Sequence, residues 1–438
     1  MKRYLIYRDS EIDWIGEIPE HWEVKRNKYI FKEINEHSET GLETLLMVSQ
    51  RYGLVEREEF AERPTLFESL IGYKICQVND LILNKLKAYL GVFFRASISG
   101  IVSPDYTVFR AIENIEVYYF EHLFKTPLYI SELNRESKGI VIGFFRLYTP
   151  DFYNLFSVFP PFKEQKQIVN YIRYKSVEIG HFISNKQRLI ELLKEQKTAI
   201  VNRAVTKGLN PHAPMKPSDI QWLAEIPAHW KILPLKHIAK IQTGVTLGKS
   251  YTDVTLETRP YLRVANVQDG YLDLSDIKNI ELPKSEVNRY ILKVNDVLMT
   301  EGGDFDKLGR GYVWEGQIQD CLHQNHIFAV RPDLSCLKSY FLAVLMKSSY
   351  GRNYFIFTSK QTTNLASTNS TTLKNLKIIL PSVDEQTEIL NFIEEESAKI
   401  DFAIAKIEKE IELIQEYRTT LISDAVTGKI DVRETSAV

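Results

Sequence analysis

The chain has 438 residues, 44% of them hydrophobic, which is enough for two or more separate cores and argues against a single compact domain. Charged residues make up 26% and nearly cancel at a net −2, so the total charge does not point to a polyanionic partner. Cys76, Cys321 and Cys336 have no short pairing, which argues against a disulfide framework, and no run reaches the ~18 apolar residues of a membrane span; the expectation is a soluble, unprocessed, cytoplasmic protein.

The first distinctive element is Trp14-Ile15-Gly16-Glu17-Ile18-Pro19-Glu20-His21-Trp22, which recurs 208 positions later as Trp222-Leu223-Ala224-Glu225-Ile226-Pro227-Ala228-His229-Trp230. W-x-x-E-I-P-x-H-W does not arise twice by chance, so the chain is one plan written twice. Further along the first copy, Ile75 to Leu83 is β-like and Tyr118 to Lys125 helical. Val78-Asn79-Asp80 and Ser137-Lys138 are echoed later by Val294-Asn295-Asp296 and Ser359-Lys360. Pro160, Glu164-Gln165, Ile168, Asn170 and Ile172 then open a segment that closes on Ala204-Val205-Thr206, with no Pro and only Gly180 between Lys163 and Val205. Little there interrupts helix propagation. Ile179, Ile183, Ile190, Leu193 and Ile200 form an apolar seam along it, with Lys186 and Lys197 where apolar residues would continue the pattern. The stretch from Thr206 to Pro214, with Gly208, Pro211 and Pro214, stops the helix and starts a linker.

In the second copy Lys293 to Met299 and His326 to Val330 read as strands and Ser339 to Met346 as a helix. Pro381, Glu385-Gln386, Ile389, Asn391 and Ile393 repeat the helix opening at an offset of 221, and Ala425-Val426-Thr427 repeats its close. Ile400, Ile404, Ile407, Ile411, Ile414 and Leu421 step by four and three, broken only at Arg418, as in a coiled coil. The two seams are expected to pair with each other. Each buried Ile or Leu contributes ~1.5–3 kcal/mol, so several outweigh two lysines, which would then set register. Because the second globular part lies between the helices, an antiparallel pair is the simpler connection. The expected fold is α+β with a pseudo-two-fold internal repeat: globular residues 1–160, long helix 161–206, linker 207–217, globular 218–380, long helix 381–427 and tail 428–438.

No catalytic constellation stands out. Phe159-Pro160-Pro161-Phe162 resembles the N/D-P-P-Y/F motif of amino-methyltransferases, but Phe159 cannot accept a hydrogen bond from a target amino group, so a proline break before the helix is the better reading. The run from Gly244 to Ser250 is one residue short of a phosphate-binding G-x-x-x-x-G-K-S loop and reads as a turn or basic loop. Cys321, His323 and His326 lack a second cluster at metal-binding spacing, and no metal is expected.

Taken together, the doubled W-x-x-E-I-P-x-H-W, the P-x-x-x-E-Q-x-x-I-x-N-x-I helix openings, the A-V-T helix ends and the stretch from Tyr261 to Val267 through Gly302-Gly303-Asp304 and His323 to His326 resemble the specificity subunits of type I restriction-modification systems over essentially the whole length. The resemblance implies a non-catalytic subunit whose two target-recognition domains each read one half of a bipartite, asymmetric site in double-stranded DNA, with the helices setting the unread spacer. It implies two methyltransferase subunits and two motor-nuclease subunits as partners, and no cofactor in this chain, with S-adenosylmethionine, ATP and Mg on those partners. Rival readings are a single-chain enzyme, which the missing motifs oppose, and an assembly protein that no longer reads DNA.

Base reading calls for Arg or Lys to guanine and Asn or Gln to adenine. Asn84, Lys85, Lys87, Lys138 and Arg146 in the first domain, and Lys307, Arg310, Lys360, Gln361 and Asn364 in the second, lie in polar or Gly-bearing segments and are the candidate DNA contacts; each could equally be an ordinary solvated loop residue. Trp14, Trp22, Trp222 and Trp230 belong to an element common to both halves, which suits packing at the helix bases better than reading different sequences.

Overall fold

The computed structural model describes residues 2–434 except 50–52, 61–68, 140–144, 247, 249–250, 252–253, 304–307 and 362–365. They form two compact units, Met1–Gln187 with Glu408–Val438, and Arg188–Ile407. The units cut through both long helices, so each contains one globular part, the part of one helix adjoining it in sequence, and the far end of the other.

In the first unit an antiparallel sheet has the order Phe31–Ile34, Tyr106–Ala111, Leu81–Asn84, Phe93–Arg95. Helices Val117–Phe124, Pro127–Glu136 and Thr149–Asn154 contribute to a core rich in phenylalanine, with Phe109 stacked on Phe152 at 4.5 Å between centroids. The second unit repeats this plan: strands Ala239–Thr243, Ile327–Pro332, Val297–Thr300 and Gly311–Val313 in that order, with helices Ser339–Lys347, Ser349–Thr358 and Ser370–Asn375. A further sheet of Lys278–Pro283, Leu256–Leu262 and Leu322–His323 is found there.

The β-like run Ile75 to Leu83 is not one strand. It divides into Lys74–Cys76 and Leu81–Asn84, because Asn79 adopts a left-handed φ of 72° and turns the chain. Asn295, φ 75°, does the same in the second copy, so Lys293 to Asp296 is a turn and the strand starts at Val297. The aspartates that follow are buried and receive two hydrogen bonds each from an arginine on the neighbouring strand: Arg110 to Asp80 at 2.9 and 2.9 Å, Arg331 to Asp296 at 2.7 and 2.7 Å.

The long helices span Phe162–Lys207 and Val383–Val426. The expected seam residues are all buried or half-buried, whereas most positions between them are exposed, so the spacing of four and three does face a partner helix. In the first unit Gln165 accepts from Glu116 N while Tyr119 donates to the carbonyl of Val426, placing the start of one helix near the end of the other; farther along, Lys186 Nζ lies 2.7 Å from Glu410. In the second unit Lys197 Nζ lies 2.7 Å from Asp401, and Gly208 lies beside Glu385. Within each unit the chain numbers rise on one helix as they fall on the other, so the helices pair antiparallel. Both lysines that interrupt the first seam thus reach a carboxylate on the facing helix.

The repeated motif joins each globular part to two helix ends. Ile18, Trp22, Ile226 and Trp230 are buried. His21 Nε2 lies 2.8 Å from Glu164, and His229 Nε2 lies 3.0 Å from Glu385, which also accepts from Trp230 Nε1 at 2.9 Å. The adjacent Gln165 and Gln386 donate back to the carbonyls of Pro160 and Pro381, at 2.9 and 3.1 Å. Beyond each A-V-T, Gly208 and Gly428 take φ of 71° and 77° against Trp230 and Trp22 respectively; a Cβ there would be strained and tightly packed. Trp22 and Trp230 therefore sit at the helix bases. Trp14 and Trp222 do not; they pack on short helices of the globular parts, Trp14 edge-on to Tyr129 at 4.9 Å and Trp222 stacked on Phe357 at 5.3 Å. The C-terminal segment is less free than a tail, since Ile430 and Val432 are buried and Asp431 N donates to Lys2 O. The expected linker ends in a strand, Met215–Ile220.

Candidate nucleic-acid interface

Strand Leu81–Asn84 delivers the first group of candidates. The Asn84 carboxamide oxygen accepts from Leu86 N at 3.1 Å, so that side chain shapes the turn. Lys85 O then accepts from Leu147 N at 3.1 Å, and Lys138 and Arg146 exchange both backbone hydrogen bonds at 2.9 Å. These bonds form the base of a hairpin; residues 140–144 lie outside the described residues. They bring Asn84, Lys85, Lys138 and Arg146 together, with Lys87 exposed in the same loop. Lys138 pairs with Asp151 at 2.7 Å, and the Arg146 guanidinium lies 5.9 Å from the centroid of the Tyr148 ring and 3.9 Å from Asp105.

Burial, and then the like charges of Lys74 and Arg146, hold the Lys85 ammonium below the ordinary lysine range. Lys74 was not a sequence candidate. It shares the inward face of its short strand with Cys76, and its ammonium lies 3.7 Å from Glu33. The available signal was a lysine at a core position of a strand. Lys74, Lys85 and Arg146 converge here against two carboxylates, Glu33 and Asp105, so one cation is in excess, an arrangement that suits an anion.

The second copy builds the same base. Thr368 N donates to Glu301 O at 2.9 Å, as Leu147 does to Lys85, and Ala366–Ser367 pairs with both Gly302–Gly303 and Lys360–Gln361. Lys360 and Gln361 thus lie at the hairpin base, while Asn364 and Lys307 lie outside the described residues. Arg310 belongs elsewhere: its carbonyl accepts from Thr300 N, and its side chain lines a cavity with Lys347 and Arg352. Matching positions carry different chemistry, Lys85 against Glu301 and Arg146 against Ser367, with His326 Nδ1 lying 2.7 Å from the Glu301 carboxylate.

His323 is buried and its Nδ1 lies 3.0 Å from Ile327 O. Among the described residues no group of three or more His, Cys, Asp or Glu side chains could hold a metal ion, and no helix is long and apolar enough to cross a membrane.

A pair of antiparallel long helices joined to two versions of one α+β part defines a class of scaffold, and comparison with known proteins places the chain within it. Residues 227–413 match the family model described as type I restriction modification DNA specificity domain. The MjaVIII specificity subunit of Methanocaldococcus jannaschii is 26% identical over 437 residues, covering 95% of this chain and 94% of that protein. The EcoKI specificity subunit of Escherichia coli is 23% identical over 336 residues, covering 76% and 68%, and the putative MjaX specificity subunit of M. jannaschii is 26% identical over 207 residues, covering 47% of each. The fold is shared with a chain from a type I R-M system assembly, TM-score 0.60 at 14% identity over 93% of this chain and 98% of that one. It is shared also with the HsdS subunit from Thermoanaerobacter tengcongensis, TM-score 0.51 at 15% identity over 94% and 98%. By sequence and by fold the chain is thus similar to the specificity subunits of type I restriction-modification systems.

Proposed function

We propose that the two globular parts each read one half of a bipartite, asymmetric DNA site, and that the paired helices fix the unread spacer between the halves. The observation that carries this is the doubled hairpin base: one backbone frame, presenting Lys85 and Arg146 in one copy and Glu301 and Ser367 in the other. A shared frame with different side chains suits two different half-sites. Lys85, Lys87, Lys138 and Arg146 contact DNA in the first half, and Lys360, Gln361, Lys307 and Asn364 in the second; Asn84 supports the first loop. Two methyltransferase subunits and two motor-nuclease subunits assemble on this scaffold in the cytoplasm, bringing S-adenosylmethionine, ATP and Mg.

The test is to express the chain with its neighbouring methyltransferase subunit and map N6-methyladenine at base resolution. A split motif with a fixed gap is the expected result, and Arg146→Ala should relax or abolish recognition in one half alone. Methylation that is unchanged when this chain is deleted would overturn the reading.

A further inference from the structure

The second unit contains a cavity of about 380 Å³ bounded by strands Val297–Thr300 and Gly311–Val313, helix Ser339–Lys347 and the turn around Asp269. Its floor is apolar, formed by the buried side chains of Val297, Met299 and Met346 among others. Its rim is cationic, with Arg310, Lys347 and Arg352. Asp269 is the one acidic side chain among the described lining residues, and its carboxylate lies 3.3 Å from Arg352. Lys347 donates to the Asp269 backbone carbonyl at 3.5 Å, not to the carboxylate. Three cations therefore share one carboxylate, leaving an excess of two positive charges over an apolar floor.

Close packing fixes this rim. A Cβ on Gly311 would fall 1.5 Å from Leu298 O, so only glycine lets that strand press onto its neighbour. Arg310, immediately before it, is held by the bond from Thr300 N to its carbonyl at 3.1 Å. The volume lies within the roughly 300–1,000 Å³ of small-molecule sites, which typically combine apolar walls with a few placed polar groups. Guanidinium and ammonium groups lining one cavity suit phosphate, and an excess of two charges matches a phosphate monoester dianion.

We propose that this cavity binds an organic phosphate the size of a nucleoside monophosphate, its apolar body over Val297, Met299 and Met346 and its phosphate held by Arg310 and Lys347. A free nucleotide and a nucleotide of DNA share that chemistry. The inference stands apart from the half-site reading, since the cavity is not part of either hairpin base.

Isothermal titration calorimetry of the full chain with AMP and with adenosine provides the test. AMP should bind saturably, with adenosine weaker by roughly tenfold or more, since the charge-assisted bonds are lost. Arg310→Gln with Lys347→Gln should weaken AMP by a similar factor while the melting temperature stays unchanged; Lys347→Gln alone serves if the double variant does not fold. Displacement of bound AMP by a DNA duplex would assign the phosphate to DNA, and AMP retained beside bound duplex would assign it to a free nucleotide. No saturable AMP binding, adenosine binding as tight as AMP, or a folded variant with unaltered AMP affinity would each overturn the proposal.

Discussion

Asp80 and Asp296 explain why a tripeptide as plain as V-N-D persists in both copies. The asparagine turns the chain, and the buried aspartate then accepts from an arginine one strand away. Asp296→Ala would leave the Arg331 guanidinium without its carboxylate and should cost roughly 2–3 kcal/mol, measured by urea unfolding; a loss well under 1 kcal/mol would show the pair to be dispensable. A half-buried histidine, His122, and a buried one, His323, make stability depend on acid. Burial, reinforced by the charges of Lys125, Arg418 and Arg173, lowers the His122 pKa to about 3, and burial lowers that of His323 to about 4. In the unfolded chain each titrates near ~6.5. As pH falls below ~6.5 the unfolded state takes up protons that the folded state refuses, so stability is full above that pH and declines through the window toward about 4 for His323 and about 3 for His122. The urea midpoint should fall on moving from about pH 7 to about pH 5, and His122→Gln should flatten that fall; an equal fall in the variant would exclude His122 as a contributor. The sequence revealed the repeated tripeptide but neither Lys74 nor the isolation of Arg310 from the hairpin, because both depend on which strands lie side by side.

The helix pair is the element most fully legible in the sequence. An apolar stripe repeating every three and four residues has one low-energy use, burial against a similar stripe, and Ile400 and Ile407 are each 7% exposed. Ile400→Ala should cost roughly 2–4 kcal/mol, read as a lower thermal midpoint. Lys186 and Lys197 were legible as interruptions, while their carboxylate partners were not, since Glu410 and Asp401 sit among many acidic residues of the second helix. A half-exposed ion pair is worth only ~0–1 kcal/mol, so Lys186→Met should leave the midpoint unchanged or raise it slightly. A marked drop would make the lysine a stabilising partner and not chiefly a register mark. The strands were less legible: a continuous β-like run such as Ile75 to Leu83 does not disclose a left-handed residue within it.

Across the whole chain the balance of charge limits what the scaffold does alone. Affinity for duplex DNA follows the number of phosphates neutralised, and a net charge of −2 leaves few cations in excess. The isolated chain should bind duplex weakly, and addition of the methyltransferase subunits should strengthen binding and steepen its salt dependence. Nanomolar, steeply salt-dependent binding by the chain alone, followed by fluorescence anisotropy, would contradict this. The doubling and the helix pairing are written in the sequence, because repeats and apolar periodicity are local patterns that survive in one dimension. Folding alone settles that each motif glutamate or glutamine locks a helix base, that the end of each long helix closes on the other copy's tryptophan, and that Arg310 lines a cavity. Those contacts join residues far apart in the chain, and no spacing along it encodes which side chains folding will bring together.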